Sequence, residues 1–180
     1  DSFIHIISIG IERISDIVKG LNQFSRNNEQ LDEDCYLNQI IDNCLVMMDN
    51  KIKDKGKVHK NYFNGQILIK GNVGKLHQVF VNILDNAIQA IEESGIIKIQ
   101  TILKDNSVQI SILDNGMGIT KQNISKITDP FFTTKAPGQG TGLGLSISYS
   151  IVKDHKGELK FESEESKGTK VVISLPVKQD

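Results

Sequence analysis

Two asparagines in one helical segment are the first residues of this sequence whose type and spacing suit chemistry. Asn82 and Asn86 lie four residues apart in the stretch VNILDNAIQAI, so both amides project from the same face of a helix. An amide oxygen can serve as a ligand to a hard cation such as Mg²⁺. The alternative interpretation is a pair of ordinary asparagines on a helix surface, since asparagine is a poor helix former but not rare there.

The stretch DNGMGI follows an apolar strand pattern and combines a carboxylate with two glycines. Gly116 and Gly118 would let the backbone approach a ligand closely. Asp114, at the strand end, could accept a hydrogen bond from an exocyclic amine such as that of adenine. A tight turn between a strand and a helix explains the same residues equally well, because Asp-Asn-Gly favours turns.

A glycine at every second position marks the stretch GQGTGLGL, which leads into a helical pattern. A glycine-rich loop before a helix N-terminus forms an anion site, and a flexible linker would not continue into apolar residues at helical spacing. The P-loop pattern, the Rossmann context and the protein-kinase HRD and DFG motifs are absent from the sequence, which excludes those classes. The glycines are Gly138, Gly140, Gly142 and Gly144.

The stretch DPFFTTK precedes these glycines and holds adjacent aromatic residues and a lysine. We expect either Phe131 or Phe132 to anchor the loop in the core. Lys135 can bind a phosphate as a point charge. A packed loop with a solvated lysine is the alternative.

Positioning these segments requires a mixed set of helices and strands. Helical spacing predicts three main helices, and alternation predicts strands that include two antiparallel pairs. This order predicts an α/β two-layer sandwich. Gly95 is expected to end the second helix at the C′ position, Thr120 to begin a short helix, and the lysine-rich segment Lys51–Lys60 to form a solvated turn. The predicted helices cover residues 37–48, 76–91 and up to 156, and the strands 67–69, 97–103, 108–113, 158–162 and 170–175.

The first 28 residues have a different character from the rest. Isoleucines, Val18 and Leu21 repeat every seven residues, which predicts one long helix from a coiled coil or bundle. One helix cannot bury such a stripe alone, so its partner helix is either missing from this sequence or supplied by another chain, as in a homodimer through this helix. Residues 29–36 are predicted to be a linker, and residues 37–180 the main domain.

Composition limits the partners and location. The 180 residues carry 21 basic and 22 acidic side chains, for a net charge of −1, which gives no electrostatic basis for binding nucleic acid or a lipid surface. No apolar run approaches the roughly 18 residues of a membrane span. The two cysteines form no metal or disulfide pattern, and Cys44 is predicted to be a small core residue. A cytoplasmic location is expected. The start at Asp1 rather than Met predicts a fragment or a trimmed product, which leaves membrane attachment of a longer parent protein open.

Taken together and in this order, the four motifs resemble the N, G1, F and G2 boxes of the ATP-binding domain of bacterial sensor histidine kinases, in the GHKL ATPase superfamily. The resemblance covers residues 37–180 and extends to Gly168-Thr169 before the last strand and to Leu175-Pro176. It implies a Bergerat-type fold, with a mixed sheet packed on three helices, that binds ATP and Mg²⁺.

The resemblance also implies roles for individual residues. Asp114 would recognise the adenine amino group, supported through water by Thr169, and Asn86 would ligate Mg²⁺ with Asn82 near the phosphates. Residues 129–141 would form a mobile ATP lid. The adenine pocket would be opened by Gly116 and Gly118 and bordered by Met117 and Ile119. The lid and phosphate set would comprise Thr133, Thr134, Lys135, Gly140, Thr141, Gly142, Leu143 and Gly144, with Asn82, Asn86 and Lys135 as the catalytic residues.

The first helix resembles the second helix of the dimerisation and phosphoacceptor hairpin of these kinases. His5 does not fit the acceptor pattern, because an acidic residue does not follow it. The resemblance therefore implies a kinase catalytic portion that phosphorylates a histidine outside this chain and works with a response regulator receiver domain. Two alternatives remain: a GHKL ATPase, whose relatives usually place a glutamate base where Asn82 stands, and a nucleotide-binding regulatory module without chemistry.

Overall fold

The computed structural model describes residues 31–136 and 140–177. We number the elements within these ranges in chain order. The helices are α1 (Leu37–Met47), α2 (Asp49–Lys55), α3 (Val73–Ala90), α4 (Lys121–Ile124) and α5 (Gly144–Asp154). The strands are β1 (Glu33–Tyr36), β2 (Gly56–Asn61), β3 (Leu68–Gly71), β4 (Gly95–Lys104), β5 (Ser107–Asp114), β6 (Glu158–Glu164) and β7 (Gly168–Pro176).

The main sheet has five strands in the order β2-β4-β5-β7-β6. Strand β2 runs parallel to β4, and the other neighbours are antiparallel. A separate ribbon pairs β1 with β3. Helices α1, α3 and α5 cover one face of the main sheet, and their apolar stripes form a single core with its inner face. The predicted two-layer α/β sandwich with a mixed sheet on three helices is confirmed.

Alternation along the central strands explains why one face of the sheet is buried. In β5, Val108, Ile110 and Ile112 are buried and point to the helices, whereas the residues between them are more exposed. Side chains of a strand alternate between its two faces, so the next inward position is Asp114. The same alternation that builds the core therefore carries a carboxylate to the inner edge of the sheet, where it is 4% exposed.

The lysine-rich segment differs from the prediction. Lys51–Lys60 is not a solvated turn but contributes to α2 and to edge strand β2. Backbone hydrogen bonds to β4 do not depend on side-chain type, and lysines on an edge strand discourage pairing with other chains. Ile52, 8% exposed, is the one core residue of α2, too few to give a helical pattern.

The end of the long helix also differs from the prediction. Helix α3 ends at Ala90, and Gly95 begins β4 instead of terminating the helix. The chain becomes extended at Ile91, whose side chain is 2% exposed. Burial of this isoleucine against the core therefore directs the chain away from the helix before the glycine is reached. By contrast, the short helix does begin after Thr120, although the threonine side chain makes no capping hydrogen bond.

Strand β1 lies within residues predicted to be linker. It pairs antiparallel with β3, and its Cys35 is fully buried. The other residues of β1 are exposed and mostly polar. A single buried position gives no alternation from which a strand could be predicted. Cys44 is likewise fully buried, as predicted.

A buried histidine joins the helical layer to the start of α3. The Asn72 side chain caps α3 by accepting from the Lys75 N–H at 2.8 Å, and the Asn72 N–H donates to His155 Nε2 at 3.0 Å. His155 Nδ1 lies 2.7 Å from the Ile151 carbonyl and donates to it. The imidazole is therefore neutral, and burial lowers its pKa below the ordinary 6.5.

Within residues 31–136 and 140–177, no helix is long and apolar enough to cross a membrane. The predicted N-terminal helix over residues 1–28 lies outside the described residues.

Candidate nucleotide-binding site

Asp114 lies at the end of β5 with one carboxylate oxygen held by the backbone. Its Oδ1 accepts hydrogen bonds from the Gly116 N–H at 2.9 Å and the Thr169 N–H at 3.2 Å. Burial raises the pKa of this carboxyl, and the backbone N–H groups of Gly116, Thr169 and Asp114 itself oppose that shift. No other described residue donates to the second oxygen. The site thus presents a buried acceptor of the kind that an exocyclic amine requires.

The turn that follows Asp114 is held between the end of α3 and the β6–β7 hairpin. The Met117 N–H donates to the Ala90 carbonyl at 3.0 Å, and its side chain is 69% exposed. Gly118 has a φ of +69°, and a Cβ there would lie 2.1 Å from the Glu164 carbonyl oxygen, so glycine is required. The Ile119 N–H donates to Ser163 Oγ at 2.8 Å. The predicted pocket residues therefore lie together on one turn, which hydrogen bonds hold to α3 and to β6.

The two asparagines of α3 have different partners. Asn82 Nδ2 donates to the Gly144 carbonyl at 3.0 Å and to Ser148 Oγ at 3.2 Å. Asn86 Oδ1, one turn later, accepts a hydrogen bond from Lys135 Nζ at 2.9 Å. The apolar stripe of α3 fixes both positions, because Leu84 and Ile88 bury the opposite side of the helix. The sequence predicted that both amides share a face, and the structure connects one to α5 and the other to the loop.

The loop between α4 and α5 is anchored by backbone contacts more than by its aromatic residues. The Phe131 N–H donates to the Gly142 carbonyl at 3.0 Å, but the Phe131 ring is 54% exposed. Phe132 is only half-buried. The expectation that one of the two rings anchors the loop in the core is therefore wrong. Burial lowers the pKa of Lys135, with Asp85 acting in the opposite direction. Within the described residues Lys135 forms no ion pair, so this cation is suited to an anionic ligand.

The remaining predicted residues of the loop have modest contacts. Thr133 Oγ1 accepts from the Lys135 N–H at 3.2 Å, whereas Thr134 is exposed. A Cβ at Gly140 would lie 3.1 Å from both Lys135 Cδ and Thr133 Oγ1. Residues 137–139, which include Gly138, lie outside the described part of the chain.

Helix α5 begins at Gly144, directly after the glycine-rich stretch. The preceding Leu143 is buried, and its N–H lies 3.4 Å from Thr141 Oγ1. No side chain caps the helix start. Free backbone N–H groups at a helix N-terminus favour anions such as phosphate.

Asp85 is the carboxylate nearest in sequence to the two asparagines, and other side chains engage it. Its Oδ1 lies 2.8 Å from Lys51 Nζ, and its Oδ2 accepts from Gln89 Nε2. Both oxygens are therefore engaged at the surface, on the side of α3 that faces α2.

Three residues at the site were not singled out from the sequence. Asn115 Oδ1 accepts from the Ile96 N–H at 2.7 Å, Ser148 bonds Asn82, and Ser163 bonds the turn after Asp114. The available signal was positional: Ser163 lies on the inward side of β6, two residues after Phe161, where a hydroxyl needs a partner.

Comparison with known proteins agrees with this geometry. A family model described as "Histidine kinase-, DNA gyrase B-, and HSP90-like ATPase" matches residues 71–179. Sporulation kinase C of Bacillus subtilis (strain 168) is 34% identical over 180 residues, covering 99% of this chain and 42% of that protein. The signal transduction histidine-protein kinase AtoS of Escherichia coli (strain K12) is 35% identical over 177 residues, covering 97% and 29%. This chain thus spans less than half the length of these relatives.

Solved structures with the same fold include histidine kinase catalytic domains. A nucleotide-free catalytic domain of histidine kinase ThkA superposes with a TM-score of 0.72 at 34% identity, covering 80% of this chain and 94% of that one. A structure of ThkA in complex with the response regulator protein TrrA gives a TM-score of 0.80 at 28% identity, covering 99% and 51%. The chain therefore belongs to the histidine kinase-, DNA gyrase B-, and HSP90-like ATPase family, and its resemblance to the histidine kinases is confirmed.

Proposed function

We propose that this chain binds Mg-ATP and transfers the γ-phosphoryl group to a histidine of a phosphoacceptor hairpin, as the catalytic portion of a sensor histidine kinase in two-component signal transduction. The proposal includes a cytoplasmic location, a response regulator receiver domain as the later partner, and dimerisation through the N-terminal helix. The complex of the similar kinase ThkA with a response regulator supports the receiver partner.

The observation that carries the proposal is a series of contacts at four-residue intervals along α3. Ala90 holds the turn after Asp114, Asn86 bonds Lys135, and Asn82 bonds the start of α5. Four residues of helix advance about 6 Å. Contacts along one helix thereby support the proposed order of a turn for the base, an amide for the metal and a helix terminus for the phosphates, which is the order that a nucleoside triphosphate would need.

The residues present fit a magnesium ion. Asn86 Oδ1 already binds a cationic donor at 2.9 Å, and Mg²⁺ is often held by only one or two protein oxygens together with substrate phosphates and water. Asn86 would hold the ion, which would offset negative charge on the phosphates. Lys135 and the N–H groups at the start of α5 would hold the phosphates beside it.

Transfer is favoured over hydrolysis by the absence of a suitable base among the described residues on this face of α3. Asn82 has an amide, which cannot take a proton from water, and its Nδ2 is committed to α5. Asp85 is a carboxylate, but hydrogen bonds from Lys51 and Gln89 engage both of its oxygens. Phosphoryl transfer needs mainly positioning and charge stabilisation, which this arrangement supplies.

The test uses ATP labelled at the γ-phosphate and Mg²⁺, with and without a recombinant helical hairpin that carries an acceptor histidine. A hairpin with alanine in place of that histidine is the matched control. We expect ATP to stay intact with the chain alone, and acid-labile label to appear on the histidine hairpin only.

Sustained phosphate release without the hairpin would replace this proposal with the ATPase function. Tight binding with neither release nor transfer to any hairpin would favour a regulatory nucleotide-binding module. Failure to bind ATP would exclude all three functions.

A further inference from the structure

Ser163 joins three parts of the proposed adenine pocket through one hydroxyl group. Its Oγ accepts from the Ile119 N–H at 2.8 Å, lies 2.9 Å from the Gly168 carbonyl oxygen, and lies 2.9 Å from Thr169 Oγ1. Ile119 belongs to the turn after Asp114, and the Thr169 N–H donates to Asp114 itself. A single side chain on β6 thus connects both segments that flank the carboxylate.

The backbone around this hydroxyl is packed closely. A small shift of the chain could therefore not provide new partners for the groups that the hydroxyl binds. The Ser166 N–H donates to the Met117 carbonyl at 2.7 Å, which clamps the β6–β7 turn onto the turn after Asp114. Gly168 has a φ of +100°, and a Cβ there would lie 2.0 Å from the Asp114 carbonyl oxygen. Loss of the serine hydroxyl would therefore leave its partners unpaired in a confined space.

The hydrogen-bond pattern also fixes the orientation of Thr169. Ser163 donates its one proton to the Gly168 carbonyl, and its two lone pairs accept from the Ile119 N–H and from the Thr169 hydroxyl. Thr169 is 8% exposed and its hydroxyl has Ser163 as a partner. Without that partner, the threonine hydroxyl would be free to rotate, and its position relative to Asp114 would no longer be defined.

We infer that Ser163 is a positioning residue for base recognition, which holds Thr169 and the turn ending at Ile119 so that Asp114 distinguishes a 6-amino purine from a 6-oxo purine. This inference rests on the proposed function, because it assumes that the base of the nucleotide lies against Asp114. Ser163 would act through its contacts with Ile119, Gly168 and Thr169, not on the reacting phosphates.

The test compares the binding of ATP and of inosine triphosphate, which share the triphosphate and differ at the 6-position of the base. Isothermal titration in Mg²⁺ would be done on the full chain and on Ser163→Ala, Ser163→Thr and Ser111→Ala. Ser111 lies on the outward side of β5, in register with Val172, and its substitution is the matched control. A hydroxyl is retained in Ser163→Thr.

We expect Ser163→Ala to lose about tenfold in ATP affinity, the scale of losing one or two buried hydrogen bonds. Affinity for inosine triphosphate should fall less, so the ratio of the two affinities shrinks. Ser163→Thr and Ser111→Ala should keep the wild-type ratio. Adding amide hydrogen exchange would show faster exchange at Ile119 in Ser163→Ala only.

Two outcomes would overturn the inference while leaving the proposed function intact. One is an unchanged ratio in Ser163→Ala, whether ATP affinity is normal or falls in parallel with inosine triphosphate, since a parallel fall indicates a structural role only. The other is a ratio that Ser163→Thr fails to restore. If Ser163→Ala does not fold, Ser163→Cys takes its place with the same criteria. Failure of the wild-type chain to bind ATP would instead overturn the proposed function.

Discussion

Lys135 Nζ donates a hydrogen bond to Asn86 Oδ1 at 2.9 Å, which places a cation on the oxygen proposed to bind Mg²⁺. The lysine comes from the loop before α5 and the asparagine from the middle of α3, 49 residues apart in sequence. The ammonium group therefore lies at the position proposed for the metal. Under the proposed function, binding of Mg-ATP would require this hydrogen bond to break and the lysine to turn to a phosphate.

Substitution of this lysine tests its phosphate role. Lys135→Met should weaken ATP binding by roughly 10–100-fold, the scale of a charge-assisted hydrogen bond, and leave adenosine binding unchanged. Titration calorimetry with both ligands would measure this. Lys126→Met, at an exposed position in the turn after α4, is the control and should bind both normally. A loss of adenosine binding in Lys135→Met would contradict the assignment.

Asn86 is predicted to matter only when the metal is present. Asn86→Ala should lower ATP affinity about tenfold in Mg²⁺, because one oxygen ligand is lost, and change it little in a chelator. Binding measured under both conditions would separate the two effects, and Gln89→Ala on the same helix serves as the control. An equal loss with and without Mg²⁺ would count against the metal role.

Asp114 can be altered without disturbing the backbone that it holds. In Asp114→Asn, one oxygen remains to accept from the Gly116 and Thr169 N–H groups, whereas the second becomes an amide donor that repels an exocyclic amine. We expect the fold to persist and ATP affinity to fall on the order of 100-fold. Calorimetry together with circular dichroism would show both, and normal ATP affinity would exclude Asp114 from the base pocket.

His155 gives the fold a predictable dependence on pH. Burial lowers its pKa below 6.5 in the folded chain, so just below that value the unfolded chain binds more protons than the folded chain. The stabilisation that comes from the neutral imidazole should therefore be fully present above pH 6.5. It should be lost as the pH falls from 6.5 through the lowered pKa of the folded chain. Protonation of Nε2 would also break its hydrogen bond from the Asn72 N–H.

Urea unfolding across this window would measure the effect. His155→Gln should be less stable at neutral pH by about 1–3 kcal/mol and should show a flatter dependence on pH. His59→Gln, on the exposed edge strand, should retain the wild-type slope. The same slope in His155→Gln as in the wild type would assign the pH dependence to other groups.

Two truncations test where the catalytic domain begins. Removal of residues 1–28 should leave the cooperative unfolding of the domain unchanged, because it removes none of the described strands. Removal of residues 1–36 should destabilise it by about 2 kcal/mol or more, because it deletes β1 and the buried Cys35. Thermal unfolding of both products would check this, and equal stability of the two would mean that β1 adds nothing to the domain.

Local pattern sufficed for most of the central elements. The strands of the β4–β5 and β6–β7 pairs alternate cleanly because one face is buried, and α1, α3 and α5 carry continuous apolar stripes. Where burial is confined to one residue, as at Cys35 in β1 or Ile52 in α2, there was no period to detect. Edge strand β2 was not predicted either, because it is held by backbone hydrogen bonds to β4, which leave no pattern in the side chains.

The sequence by itself determined the types of group at the site: a carboxylate after a strand, two amides on one helix face, a lysine in a loop and glycines before a helix. Those properties follow from residue identity and from the periods of helices and strands. Only the tertiary structure decided which groups meet. Lys135 reaches Asn86, Asn82 reaches Gly144, and Ser163 reaches Thr169 because distant elements pack on one core, and long-range packing has no local period from which it could be read.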